Sequence, residues 1–536
     1  MLKKELEEAY NQVKEENKEL RRQNKELLQK LSFYQSMDKS DSIKEITDRD
    51  KRYQYPSAYD TLNKEQKMYF KKMVNGDNIF LSGNAGTGKS YLTRVFDEFC
   101  ELNHKNLVKV APTGVAAKNI DGCTMHRTFG MGTEIQFTDP ERVSKVLFST
   151  DIVLIDEISM ARIDNFDYCM KQIEMVNDTR KHRNEEKGYK EGDKEYKNPI
   201  QVVFVGDFFQ LSPVLKKEDK EMMERIRYHH DVGSGFAFSS EYWEKFGVEL
   251  CYLTEVVRQK GDNDFLVSLN KVKYGNASGL NYIRMNSAKA AFDKTITLAG
   301  KNSTVTDINN RELAKLPGER YSSYAEVTGD VKKSEITMEE EFHFKIGARV
   351  LMTANDSAEL GNRFENGSLG TIIDLEKWNG YVDSITVQFD DGTIADVGRK
   401  TIENTVYSIE KQKFEIQKQD EEGRIQFETV EKEVPVQKVV GTVTQFPMKL
   451  GYAITIHKSQ GQTYDRMNLI PEIWDYGQLY VALSRVTGVK GLYIEGPLKD
   501  SMVKTHPEVL DFYEKEQSKE LEEQFEKEDE VLERNA

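Results

Sequence analysis

The sequence predicts an α/β protein whose buried parallel strands deliver functional residues at their carboxyl ends. Three observations lead there. Short apolar runs recur between helix-like stretches from about residue 61: NIFLSG (78–83), LVKVAPTG (107–114), DIVLIDE (151–157) and IQVVFVGD (200–207). Each is rich in β-branched and apolar residues and is closed by Gly, Pro, Asp or Thr, as strands covered on both faces are. The first run leads into Gly83-Asn84-Ala85-Gly86-Thr87-Gly88-Lys89-Ser90, a match to G-x-x-x-x-G-K-S, and a helix-like run, YLTRVFDEFC, follows. Residues 366–446 instead alternate polar and apolar between turn signals, which predicts a small antiparallel β unit.

Composition bounds the rest. A chain of 536 residues is too long for one ordinary domain, and three or four units are expected. Hydrophobic residues make up 38% and charged residues 31%, enough for a core under a well-solvated surface. No run approaches the roughly 20 apolar residues that cross a membrane, so no membrane partner is expected. MLKKELEEAYNQ lacks the apolar centre of a signal peptide. Cys100, Cys123, Cys169 and Cys251 show no paired spacing, against a disulfide framework and a zinc site alike. The expected location is cytoplasmic, in a bacterial or phage-like setting. The net charge of −15 weighs mildly against nucleic acid. Residues 511–536 hold 11 acidic and 4 basic residues, so nearly half of that charge sits in one tail.

The flanks read separately. Leu6, Val13, Leu20, Leu27 and Tyr34 recur every seven residues, with Asn17 and Asn24 on the second seam. That pattern predicts a coiled coil over 1–36 and self-association through it, against the plainer reading of a single charged helix. Residues 37–60 read as a linker, 177–198 as a solvated charged insertion, and 501–536 as an acidic tail.

The glycine-rich loop carries the first chemistry. Its glycines let backbone N–H groups wrap a phosphate at a helix N-terminus. Gly83, Ala85, Gly86, Thr87, Gly88, Lys89 and Ser90 are the expected nucleotide-binding residues, with Lys89 on the β and γ phosphates and Ser90 on Mg²⁺. Asp156 and Glu157 close the run IVLI, and the expected roles are metal carboxylate and general base. Every Asn-Lys pair lacks the Asp of a guanine reader, which favours ATP.

With these in place, the motif order resembles the superfamily 1 helicases, most closely their Pif/RecD-like branch, over about residues 61–496. LNKEQ (62–66), APTGVAA (111–117), TMHRTFG (124–130), IDEISM (155–160), GDFFQLSPV (206–214), LTEVVRQ (253–259), GYAITIHKSQGQT (451–463) and YVALSRV (480–486) carry the resemblance. It implies two tandem RecA-like domains, at 61–250 and at 251–365 with 447–500. It also implies an SH3-like barrel inserted at 366–446 and a duplex-splitting wedge near 129–140, which could equally be a surface hairpin. It implies Gln66 as the adenine reader and Gln210 as the γ-phosphate sensor. Phe208 and Phe209 read equally as core or stacking platform. Arg258 and Arg485 are implied to stabilise charge on the transferring phosphoryl group, where a guanidinium outperforms an ammonium. Thr113, His126, Thr455, His457, Ser459 and Gly461 are implied to line the DNA track, with a core histidine the alternative for His126 and His457. Contacts of that kind position a strand without reading it. The motif that defines eukaryotic Pif proteins is at best loosely present in RIDNFDYCMKQIEMV (162–176).

The expectation is an ATP- and Mg²⁺-dependent DNA helicase in replication, repair or recombination, travelling 5′ to 3′ on single-stranded DNA and opening forked duplex. The alternatives are a translocase that does not unwind, or a coiled-coil scaffold or loader with a switching ATPase.

Overall fold

The structure is a computed structural model. It describes residues 50–516, apart from 51, 85, 133–134, 194, 256–261, 332–335, 337, 358–362 and 420–424. The heptads of 1–36, residues 37–49 and 51 of the expected linker, and residues 517–536 lie outside the described residues, while the rest of that linker packs on the first domain through Tyr53, Tyr55 and the buried Tyr59.

The first sheet holds β1 (Ile79–Gly83), β2 (Leu107–Ala111), β3 (Cys123–Thr124), β4 (Ile152–Ile155), β5 (Gln201–Val205) and β6 (Glu249–Leu253). Their order is β3-β2-β4-β5-β1-β6, and every pairing is parallel. The four apolar runs read from the sequence fall on β1, β2, β4 and β5. Alternation sorts their side chains. Ile79 and Leu81 pack with Phe70, Phe96 and Phe99 on one face, where α1 (Lys64–Asn75) and α2 (Lys89–Leu102) lie. Phe80 and Phe204 pack on the other, against Phe166 and Trp243. Strand β6 pairs with β1 and buries Cys251 and Leu253 under α1. The first sheet thus keeps the chain to Leu253, three residues past the expected boundary at 250.

Helix α3 (Ile163–Lys187) corrects the reading of 177–198 as a wholly solvated insertion. Its second half is held down by Arg180, which donates to the carbonyls of Leu147, Phe148, Thr150 and Asn198 at 2.7–3.2 Å. Asn184 pairs both ways with the Lys197 backbone, at 2.9 and 3.1 Å.

The β unit is larger than expected. β11 (Arg349–Met352), β12 (Leu369–Trp378), β13 (Tyr381–Phe389), β14 (Ile394–Gly398) and β17 (Met448–Leu450) form an antiparallel sheet in the order β14-β13-β12-β11-β17. It has its own core of Val350, Ile372, Ile385, Val387 and Phe446. Ahead of it, β8 (Tyr321–Tyr324) pairs with β10 (Glu341–Phe344), and a ribbon of β15 (Lys400–Gln419) and β16 (Ile425–Gln445), edged by β9 (Glu326–Gly329), projects and reaches the first domain. There the Tyr407 hydroxyl accepts from the Lys109 N–H at 3.1 Å, and Gln437 Nε2 donates to the Asp121 carbonyl at 2.7 Å. Strand β3 is two residues long and leaves the start of β2 uncovered, so the ribbon supplies that edge's missing partner.

The second parallel sheet, in the order β18-β7-β19-β20, holds β7 (Ile296–Ala299), β18 (Ala453–Thr455), β19 (Met467–Leu469) and β20 (Leu492–Ile494). The chain then returns to the first domain. Residues 507–516 are helical and bury Val509, Phe512 and Tyr513, with the Tyr513 hydroxyl 2.6 Å from Ser82 Oγ. The segment expected as an acidic tail from 501 therefore begins as packed structure, because its apolar residues sit three and four apart on one helix face.

Candidate active site at the interdomain cleft

The phosphate loop forms between β1 and α2 because glycine occupies its strained positions. Gly83 has φ 151°, and a Cβ there would lie 2.6 Å from the Leu253 carbonyl oxygen. Gly88 caps α2 at φ 84°, and a Cβ there would lie 2.6 Å from Gln66 Nε2. Gly86 is also left-handed, at 82°. Thr87 is buried and donates to the Asn84 carbonyl at 2.9 Å. Lys89 folds its ammonium back on the loop, donating to the Gly83 and Asn84 carbonyls at 2.8 and 3.2 Å. Burial lowers its pKa below the usual lysine value. Those carbonyls hold an ammonium that phosphate oxygens would bind more strongly. Ser90 is exposed on the first turn of α2. Ala85 is outside the described residues.

Gln66 is buried, and its amide is committed. Oε1 accepts from the Asn63 N–H at 3.1 Å, closing a capping box on α1, while Nε2 donates to the Thr87 carbonyl at 3.2 Å. It braces the loop from α1.

Asp156 and Glu157 follow β4. Glu157 has φ 50°, a left-handed conformation that a non-glycine residue holds at a cost of about 1–3 kcal/mol and that clusters at functional sites. Burial, then the adjacent Asp156 carboxylate, pushes Glu157 up to about 7. Burial pushes Asp156 up to about 6. Two residues absent from the expected site stand here. Gln460 of the second domain donates from Nε2 to Glu157 Oε2 at 3.0 Å and to Gln210 Oε1 at 3.2 Å. It lies inside TIHKSQGQT, and a polar residue between two expected strand-contact positions was the available signal. Asp207 is fully buried ahead of Gln210; its carboxylate accepts from the Phe209 N–H at 3.1 Å. Phe208 and Phe209 resolve as core: Phe208 meets Phe80 at 4.9 Å, and Phe209 stacks on Tyr513 at 4.8 Å.

Arg485 is buried, with Nε on the Val481 carbonyl at 2.9 Å and Nη2 on Ser484 Oγ at 2.8 Å. Its charge favours the ionised form of Glu157. Gln460 thus joins Glu157 and Gln210 directly, and the charges of Asp156, Lys89 and Arg485 all act on Glu157. Arg258 is outside the described residues. The donor types suit Mg²⁺: one exposed hydroxyl, Ser90, and one strand-end carboxylate, Asp156. No cluster of three or more His, Cys, Asp or Glu residues that could hold a metal occurs among the described residues.

The expected DNA residues divide. The Thr113 hydroxyl accepts from the Ala116 N–H at 3.2 Å and caps helix Gly114–Asn119. Gly461 has φ 79°, with Asn119 Nδ2 4.0 Å from the position of an added Cβ, so the two domains' loops adjoin. His126 is half-buried on helix Met125–Thr128. His457 is half-buried, its ring 5.9 Å from the exposed Trp474 and nearly parallel to it. Burial lowers its pKa below the usual histidine value. Neither histidine is fully buried. Thr455 accepts from the Lys458 N–H at 3.3 Å. Ser459 departs from expectation: it is fully buried, with Oγ donating to the Ile456 carbonyl at 2.8 Å, because the turn after β18 consumes its hydroxyl. Residues 129–140 contain no strand among those described, and Gln136 is tied to Asp164 and Arg227, so the surface hairpin that was the alternative to a wedge is not formed there.

Two parallel sheets flanked by helices, with a phosphate loop in the first and Gln460 of the second domain bonded to Glu157 and Gln210 of the first, define a P-loop ATPase built from two RecA-like domains. The model of the PIF1-like helicases matches residues 61–278. ATP-dependent DNA helicase Pif1 of Bdellovibrio bacteriovorus is 30% identical over 84% of this chain and 91% of its own length. Pif1 of a Psychrobacter species is 29% identical over 79% of this chain and 66% of its own. A crystal structure of Bacteroides sp Pif1 in complex with ADP-AlF4 has a TM-score of 0.68 and 26% identity, covering 85% of this chain and 97% of that one. Bacteroides Pif1 bound to ssDNA has a TM-score of 0.57, 27% identity and the same coverages. The chain belongs to the PIF1-like helicase family, and its activity is that of an ATP-dependent DNA helicase.

Proposed function

We propose that the chain translocates 5′ to 3′ on single-stranded DNA and opens forked duplex as its two RecA-like domains close on ATP and part after hydrolysis. One observation carries the reading. Gln460 joins Glu157 and Gln210 across the cleft, so the hydrolytic residues belong to both domains at once. An ATP site shared in this way converts closure into relative movement of the two domains.

Lys89 leaves the loop carbonyls for the β and γ phosphates, and the loop N–H groups take the rest of the charge. Ser90 and Asp156 would hold Mg²⁺, which when bound would neutralise charge on the phosphates. Glu157 accepts the proton of the attacking water. Gln210 senses the γ-phosphate, and Gln460 links it to the second domain. Arg485, with Arg258, meets the charge that spreads over the transferring group. Gln66 takes the adenine edge by exchanging its present partners.

Thr113, His126, Thr455, His457 and Gly461 form the strand track, with Thr455 and Ser459 shaping the turn that presents it. The five-stranded sheet is proposed as the SH3-like unit that encloses the strand, the heptads of 1–36 as a self-association element, and residues near 129–140 as the wedge. The setting is proposed to be cytoplasmic. The four cysteines are buried and form no disulfide, which fits a reducing compartment. No described helix is long and apolar enough to cross a membrane. Replication, repair and recombination are the processes such a motor serves.

The test is ATPase with and without single-stranded DNA, run beside strand release from a labelled fork. Strong DNA stimulation with strand release is expected. Strong stimulation without release would leave a translocase. Turnover unchanged by DNA would favour a scaffold with a switching ATPase.

A further inference from the structure

Helix α4 (Asn263–Lys273) ends in a lysine that the mechanism above does not use. The side chain of Lys273 is fully buried, as is that of Asp207, and Nζ lies 3.6 Å from Asp207 Oδ1. The ammonium donates to Asn84 Oδ1 at 2.9 Å and to the Tyr252 hydroxyl at 2.7 Å. Phe209 and Tyr480 present their rings to it at 4.6 and 5.6 Å. A lysine is rarely buried to this degree without a specific reason, since an ammonium gives up its hydration on entering the core.

Its partners belong to three separate parts of the cleft. Asn84 is a phosphate-loop residue, and its backbone carbonyl is one of the two that receive Lys89. Asp207 opens the segment that leads to Gln210, whose N–H donates to the Asp207 carbonyl at 2.9 Å. Tyr480 lies on helix α5 (Gln478–Leu483), which precedes Arg485, and its hydroxyl is 3.5 Å from Asp207 Oδ2. Phosphate loop, γ-phosphate sensor and arginine helix therefore meet at one buried charge pair.

We propose that Lys273 is a positioning residue for ATP hydrolysis, tying Asn84, Asp207 and Tyr480 to one ammonium and so holding loop, Gln210 and Arg485 in register across the cleft. The three N–H bonds of an ammonium suit it to joining several acceptors at once. The proposal rests on the cleft being the ATP site.

The experiment compares Lys273→Met, Lys273→Arg, the double variant Lys273→Met with Asp207→Asn, and Asn84→Ala. Each is measured for thermal unfolding and for kcat and KM of ATP with single-stranded DNA. Lys273→Met is expected to lower kcat about 100-fold while KM moves less than about fivefold, the pattern of a group acting on the transition state. Lys273→Arg, which keeps charge and donors, is expected to recover most of that rate. The double variant removes both buried charges together; it is expected to regain the parent's melting temperature and not its kcat. Asn84→Ala lies on the half-buried loop and reports even if Lys273 variants fail to fold; about a tenfold fall in kcat is expected. A double variant that melts like the parent and hydrolyses ATP at the parent's rate overturns the proposal, as does an unchanged rate in Asn84→Ala. Failure of the cleft reading shows separately, as turnover that survives Lys89→Ala.

Discussion

Replacing Gln460 with leucine removes the amide that spans the cleft and keeps the side chain's bulk. Its bond to the Glu157 carboxylate is 3.0 Å and its bond to Gln210 is 3.2 Å. A hydrogen bond to a charged group contributes about 1.5–3 kcal/mol and a neutral one about 1 kcal/mol. Part of this is recovered by water when the cleft opens, so the net loss in the closed state is about 2–3 kcal/mol. Each 1.4 kcal/mol is tenfold in rate, so DNA-stimulated kcat is expected to fall about 30- to 150-fold. Gln460 makes no hydrogen bond to the phosphate loop among those found, so ATP affinity is expected to stay within about threefold of the parent. Steady-state ATPase with saturating single-stranded DNA gives the first quantity, and titration with a fluorescent ATP analogue gives the second. A kcat within about threefold of the parent's would refute the bridge as part of the hydrolytic geometry.

Three further outcomes are expected. Lys89→Ala abolishes turnover and leaves the fold intact, because its ammonium bonds only to its own loop's carbonyls; near-normal ATPase would remove Lys89 from its role. Arg485→Ala binds ATP and hydrolyses it about 10³-fold slower in single-turnover measurements, and a loss of about tenfold or less would move Arg485 out of the site. Arg180→Ala strips partners from four backbone carbonyls, at a cost of about 2–4 kcal/mol, and lowers the melting temperature by about 5–10 °C with little change in kcat; an unchanged melting curve would show that the second half of α3 is not anchored as described.

Strands whose apolar runs end in motif residues were legible, because burial on both faces writes a continuous hydrophobic signal. So was the phosphate loop, whose left-handed positions demand glycine at Gly86 and Gly88. What escaped reading depends on contacts distant in the chain. Arg180 lies in a run of charges, and nothing local marks it as the one that reaches back to Leu147 and Thr150. Val509, Phe512 and Tyr513 are diluted by acidic neighbours, although their three-and-four spacing was visible. Ser459 was assigned to the strand track by its motif, but a serine in a tight turn spends its hydroxyl on the turn. Gln460 and Asp207 are polar residues inside recognised motifs, and their partners lie 303 and 66 residues away in the chain, at Glu157 and Lys273. The ribbon's length was hidden because alternation continues through both arms without showing where the sheet ends.

The central claim is that a two-domain cleft turns ATP hydrolysis into directed movement along one strand. It is tested most directly by unwinding matched duplexes that carry either a 5′ or a 3′ single-stranded tail, with ATP, using the parent and Arg485→Ala. The account expects the parent to release the strand from the 5′-tailed duplex and not from the 3′-tailed one, and Arg485→Ala to release neither. Equal release from both tails, or release that persists without Arg485, would contradict it.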